Sequence, residues 1–144
     1  MTEQEPDVFI ENGTKFETYS YLLEKYFENH PRPPIGLFRT SMIRGYIATW
    51  TLIGEKLYLS QIKGYIDADH PLTLDMIFPN TVPPIFVEWY SGSMFIRHGK
   101  LFRIGGSFNL SSEHLEEIYF KKGVLIKREM KKYDEKSGKY VKME

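Results

Sequence analysis

The chain has 144 residues, 42% of them hydrophobic and 26% charged, and its 19 basic residues are balanced by 19 acidic ones. A chain of that length buries roughly two thirds of the surface it exposes when unfolded, so one domain spanning 1–144 around one core is expected. The charge balance removes the positive field by which proteins compete for nucleic acid, and the lack of cysteine removes disulfides, thiolate catalysis and thiolate-held metals.

The opening stretch MTEQEPDVFIENG is acidic and polar where a secretory signal needs a positive start and a long apolar run, which makes the cytosol the expected compartment. No segment approaches the roughly 20 apolar residues of a spanning helix, so no membrane is expected. Ten Tyr, ten Phe and two Trp favour strands, because flat rings pack well on a pleated, half-buried surface.

Turn signals then punctuate the chain. Asn12-Gly13, Lys122-Gly123 and Ser137-Gly138 fit two-residue turns with glycine second, and Gly54-Glu55 and Gly99-Lys100 fit turns with glycine first. In SYLLEKYFEN, Leu22, Leu23, Tyr26 and Phe27 share a helical face; Ser20 is the expected cap, and His30-Pro31-Arg32-Pro33-Pro34 stops the helix. Residues 43–53 and 56–66 read as a hairpin, with Tyr46, Ala48, Trp50 and Leu52 on the face suited to the core.

Asp69 is the expected cap of a short helical turn through PLTLDMIF. Residues 85–98 and 101–105 read as a second hairpin, whose first strand is apolar on both faces. SSEHLEEIYF fits a strand better than a helix, since a turn and the strand-like VLIKREMKKY follow directly, and the charged tail EMKKYDEKSGKYVKME reads as an exposed edge hairpin. The expected fold is mainly β: about eight antiparallel strands in a meander-type sandwich or partly closed barrel, with one or two short helices.

No stretch carries a catalytic signature. His30, His70, His98 and His114 fall in no HExxH or i, i+4 pairing, and no serine lies in GxSxG. In the cluster Asp67 to His70 a capped turn is favoured over a metal site, and the glycines of IGGSF at 104–108 favour a bulge over a phosphate loop. PRPPI has a PxxP spacing with an arginine, a format read by polyproline-binding domains, although such stretches commonly just connect elements. No cofactor and no metal are expected.

The most informative run is IRGYIATWTLIGEKLYL. Arg44, Tyr46 and Trp50 share a strand face and would form a stacked row for a planar or anionic ligand; the favoured alternative buries the rings and ties Arg44 to a carboxylate or carbonyl at the strand's end. Trp89, Tyr90 and Phe95 form a second aromatic set, and an exposed Trp89 beside Trp50 would make a stacking platform or an interaction hot spot. RGYIATW at 44–50, KLYL at 56–59 and EWYSG at 88–92 together resemble a family of small bacterial proteins of uncharacterised activity, which implies a mainly β domain and carries no site residue.

Three functional expectations follow. The leading one is a non-enzymatic binding or protein-interaction module of immunity or accessory type, with Arg44, Tyr46, Trp50, Trp89, Tyr90, His98, Arg103 and His114 as candidate binding residues. The second is a small-molecule or carbohydrate-binding β domain built on the aromatic and arginine face; a concave pocket distinguishes it from the first. The third is a small hydrolase using His98, His114 and Glu116 with Arg103 as an electrostatic clamp, and it requires those side chains to converge.

Overall fold

The structure is a computed structural model describing residues 4–37, 39–103 and 110–143, with only the backbone of Arg103, Leu110 and Ser111. Its strands are β1 (Asp7–Glu11), β2 (Thr14–Thr18), β3 (Tyr46–Ile53), β4 (Lys56–Asp67), β5 (His70–Pro71), β6 (Ile85–Phe86), β7 (Gly92–Arg103), β8 (Leu110–Lys121), β9 (Val124–Asp134) and β10 (Lys139–Lys142). Among the described residues one helix, α1 (Leu22–Phe27), and a 3-10 turn at Leu74–Met76 complete the set. Among the described residues no helix is long and apolar enough to cross a membrane.

The strands form one mostly antiparallel sheet in the order β10-β9-β8-β7-β2-β1-β3-β4-β5, with β6 against β4. Its two arms curl until β4 meets β9 at Lys56 and Val124, where Leu57 N–H donates to Gly123 O (2.8 Å) and Leu125 N–H to Glu55 O (2.7 Å). The result is a partly closed barrel. Strands β7 to β10 run as a meander, while β1 and β3 pair in parallel, joined by the crossover that carries α1.

Alternation fills the interior as the sequence implies. Tyr46, Ala48 and Trp50 of β3 are fully buried with Phe9, Leu57, Leu59, Met94, Ile96 and Ile118, whereas Ile47, Thr49 and Thr51 lie on the outer face. The turns at Asn12-Gly13, Gly54-Glu55 and Lys122-Gly123 stand as expected, and SSEHLEEIYF is strand throughout. β10 forms the charged edge.

Five local expectations are corrected. Gly99-Lys100 does not close a hairpin; β7 runs through it, and the register with β8 shifts between His98 and Leu101, so a left-handed Gly99 (φ 80°) makes a bulge instead. Residues 85–98 are not one strand, because Val87–Tyr90 turn sharply, with Tyr90 N–H donating to Val87 O at 3.1 Å. The Ser137-Gly138 turn spans four residues, Asp134 being the last of β9 and Lys139 the first of β10.

Ser20 does not cap α1. Tyr21 precedes the helix in a left-handed conformation with no capping hydrogen bond, and Ser20 Oγ instead accepts from Phe95 N–H at 2.9 Å, tying the chain to β7. Asp69 caps nothing either; Thr73 precedes the 3-10 turn, and Asp69 N–H closes onto Asp67 Oδ1 at 2.9 Å. The IGGSF stretch lies outside the described residues.

Candidate functional site

A groove of about 490 Å³ opens beside the β6–β7 turn, walled by the aromatic rings of Tyr26, Phe78, Phe86 and Trp89 from four separate parts of the chain. Tyr26 comes from α1, where His30 Nδ1 lies 2.9 Å from Tyr26 O and the imidazole stacks on the Tyr26 ring at 3.9 Å. Phe78 follows the 3-10 turn, and Trp89 sits at the tip of the Val87–Tyr90 turn. Tyr26 lies 4.8 Å from Phe78 and 4.9 Å from Trp89, and Phe78 stacks parallel to Trp89 at 6.5 Å.

The turn that presents Trp89 is clamped from both sides. Val87 N–H donates to Leu57 O (3.0 Å) and Gly123 N–H to Tyr90 O (2.9 Å), so β4 and the β8–β9 turn fix its backbone. Tyr90 itself points inward, 3% exposed, with its hydroxyl on Ser93 O; burial pushes that phenol's pKa up. Trp89 stays half-buried, and its indole N–H is enclosed without an acceptor. Neighbouring Glu88 is exposed and forms no hydrogen bond or ion pair among the described residues.

Arg44, Tyr46 and Trp50 form a different arrangement, internal to the fold. Arg44 is 5% exposed and donates through Nη2 to Asp7 Oδ1, with its guanidinium 4.1 Å from the centre of the Tyr21 ring. Asp7 also accepts from Ala48 N–H (3.0 Å) and Trp50 Nε1–H (3.2 Å). Desolvation raises the Asp7 pKa against those hydrogen bonds, and burial likewise raises Tyr46, whose hydroxyl donates to Glu24. This row does not face solvent. Trp50 and Trp89 do meet, edge to face at 6.2 Å, with Trp50 behind.

The third candidate set joins β7, β8, β9 and β1. His98 Nε2 is 3.0 Å from Glu116 Oε1, Arg128 Nε donates to Glu116 Oε2 at 2.6 Å, and Arg128 reaches Glu11 with both terminal nitrogens. His114 faces His98 across β7 and β8. His98 and Glu116 therefore converge, while the Arg103 side chain lies outside the described residues. Both Glu116 oxygens are occupied, and among the described residues no hydroxyl bonds to His98, so the described part of the cluster is a histidine, its carboxylate partner and an arginine.

The other groupings that the sequence offered are paired within the chain. His70 and Asp67 pair in the open at 2.6 Å, and no group of three His, Asp or Glu among the described residues could hold a metal. Arg32 of PRPPI is engaged by its own chain, on Glu24 at 2.6 Å and Arg44 O at 2.6 Å. A second cleft of about 460 Å³ runs under the segment before β3, with Met42, Ile47 and Tyr65 on its walls and Arg39 tied to Glu5.

Of the eight candidate binding residues the groove uses Trp89 alone, and of the four histidines weighed for catalysis it holds His30. Tyr26, Phe78 and Glu88 were not singled out for a site, and no local pattern links them: they come from a helix, a post-turn loop and a reverse turn. Compared with known proteins, the chain matches no protein-family model, no curated protein and no solved structure.

Proposed function

We propose that the protein is a non-enzymatic binding module that engages a protein partner through the Trp89 groove. One observation carries this reading: a partly buried tryptophan is held on a hydrogen-bonded turn, in a concave wall of aromatic rings, while the other tryptophan is wholly buried. Exposing such rings to water is unfavourable, and tryptophan in a pocket is a common anchor of protein interfaces.

A free small ligand would use the same groove. A partner chain is favoured because Val82, 83% exposed, lies on the loop between groove residue Thr81 and β6, whose Ile85 also lines the groove. A small ligand leaves that side chain in water; a chain lying across the groove covers it. The test is affinity capture with the tagged protein beside its Trp89→Ala and Phe78→Ala forms, each checked for its far-ultraviolet spectrum. Recovery of a specific protein by the parent and its loss from both folded variants supports the reading; equal recovery by all three removes the groove from it.

A further inference from the structure

We infer that the groove takes a cationic side chain, lysine or arginine, projecting from the partner, an inference that rests on the reading of the groove as a partner site. The rings supply negative π faces, and the Glu88 carboxylate beside them has no partner among the described residues. Several turn carboxylates are open in the same way. What distinguishes Glu88 is its place on a ring-lined concavity, where an incoming cation is met by a charge and by π faces together.

The fold's own habits point the same way. Arg44 covers Tyr21 at 4.1 Å, Arg97 covers Tyr19 at 4.3 Å and Arg32 lies 5.1 Å from Phe27. At the groove itself Lys56 lies 5.5 Å from the Phe86 ring, so that wall already holds a cation. Among the described residues no lysine or arginine lies over Tyr26, Phe78 or Trp89, and although the His30 imidazole covers one face of Tyr26 at 3.9 Å, the rings of Phe78 and Trp89 stand beside Glu88 in the same groove. Lys56 opposes a second cation by repulsion, but it is exposed and solvent-screened, so its effect falls with distance and salt.

The experiment follows the two indole N–H signals by NMR, assigned with Trp89→Phe, while N-acetyl-lysine methylamide, N-acetyl-arginine methylamide and N-acetyl-norleucine methylamide are added in turn. The Trp89 signal should move saturably with the two cationic probes and require about tenfold more of the neutral one. Glu88→Gln, a surface change, should weaken the cationic probes about fivefold and leave the neutral one unchanged.

Equal response to norleucine overturns the inference while leaving an apolar partner groove. Tetramethylammonium acting at the same concentration as the lysine probe makes a free cation the occupant and also overturns it. Silence from every probe, with capture still dependent on Trp89, defeats the cation alone; silence together with Trp89-independent capture defeats the groove reading as well.

Discussion

Asp7 and Arg44 stand 37 residues apart in the chain and meet inside the fold, Arg44 Nη2 lying 3.0 Å from Asp7 Oδ1 with both side chains buried. The carboxylate joins the start of β1, the entry to β3 and the Trp50 indole at one point. Asp7→Asn places an amide N–H against one of three donors and leaves a buried guanidinium without its counter-charge. We expect it to destabilise the protein by about 3–5 kcal/mol in urea unfolding. Arg44→Met should be similarly costly, and Asp7→Leu combined with Arg44→Met should cost clearly less than the two single losses added. Strict additivity would show that the pair is not coupled.

Gly13 and Gly123 both occupy left-handed turns at φ 78°, yet their surroundings differ. A Cβ on Gly13 meets nothing within 4 Å, whereas one on Gly123 would lie 2.6 Å from Val87 O and 2.9 Å from the Phe86 ring. Gly13→Ala should therefore cost only the backbone strain, about 1 kcal/mol. Gly123→Ala must also push back the Val87–Tyr90 turn, so it should cost more and shift the Trp89 indole signal. Equal losses with an unmoved Trp89 would mean that the β8–β9 turn does not support the groove.

Those two glycines mark what sequence could and could not convey. Alternation in β3 and the short turns are local properties, written in adjacent residues, and they yield the barrel's strands and the inward Tyr46, Ala48 and Trp50. At Gly99 the structure has a bulge in place of the expected turn, because glycine followed by a polar residue serves both equally well. The groove is non-local throughout: Tyr26, Phe78 and Trp89 meet only because β4, β6 and the β8–β9 turn bring three unrelated segments together. Glu116 and His98 could be named as a pair and the Lys122-Gly123 turn folds the strand of Arg128 beside that of Glu116, but Glu11, which completes the cluster, comes from a strand whose place the sequence does not specify.

Acid should weaken the fold through its paired glutamates. Hydrogen bonds from Arg128 hold Glu11 below the ordinary 4.5, Arg39 does the same for Glu5, and Lys127 heads the donors that bring Glu129 down to about 2. A depressed folded pKa gives stabilisation that is present above about pH 4.5 and lost as the pH falls through the folded value. Asp7 has the opposite sign: raised above 3.8, its contribution is complete below that pH and lost as the pH rises, so it offsets part of the acid loss. Glu11→Gln should flatten the fall of Tm between about pH 5 and pH 3. At pH 7 it should cost no more than about 1 kcal/mol, because Arg128 and Glu11 are 33% and 23% exposed and solvent screens the pair. A scanning calorimetry series with an unchanged slope would show that this pair does not set the acid response.

The two tryptophans should report opposite environments. Trp50 has no exposed surface and donates to Asp7 Oδ2 at 3.2 Å, while Trp89 is half-buried in the groove wall. Acrylamide quenches on contact, so Trp89→Phe, which leaves Trp50 alone, should show almost no quenching. Trp50→Phe, which leaves Trp89, should be quenched several-fold more strongly. It also loses a buried hydrogen bond and leaves Asp7 short of a donor, a cost of about 1–3 kcal/mol that lowers Tm without unfolding the chain. Quenching of Trp89 should then fall when the partner is bound, because the groove is covered, whereas Trp50 should be indifferent. Were Trp50 as accessible as Trp89, the barrel interior would be open to solutes, and the partial exposure of Trp89 would no longer distinguish the groove from the rest of the fold.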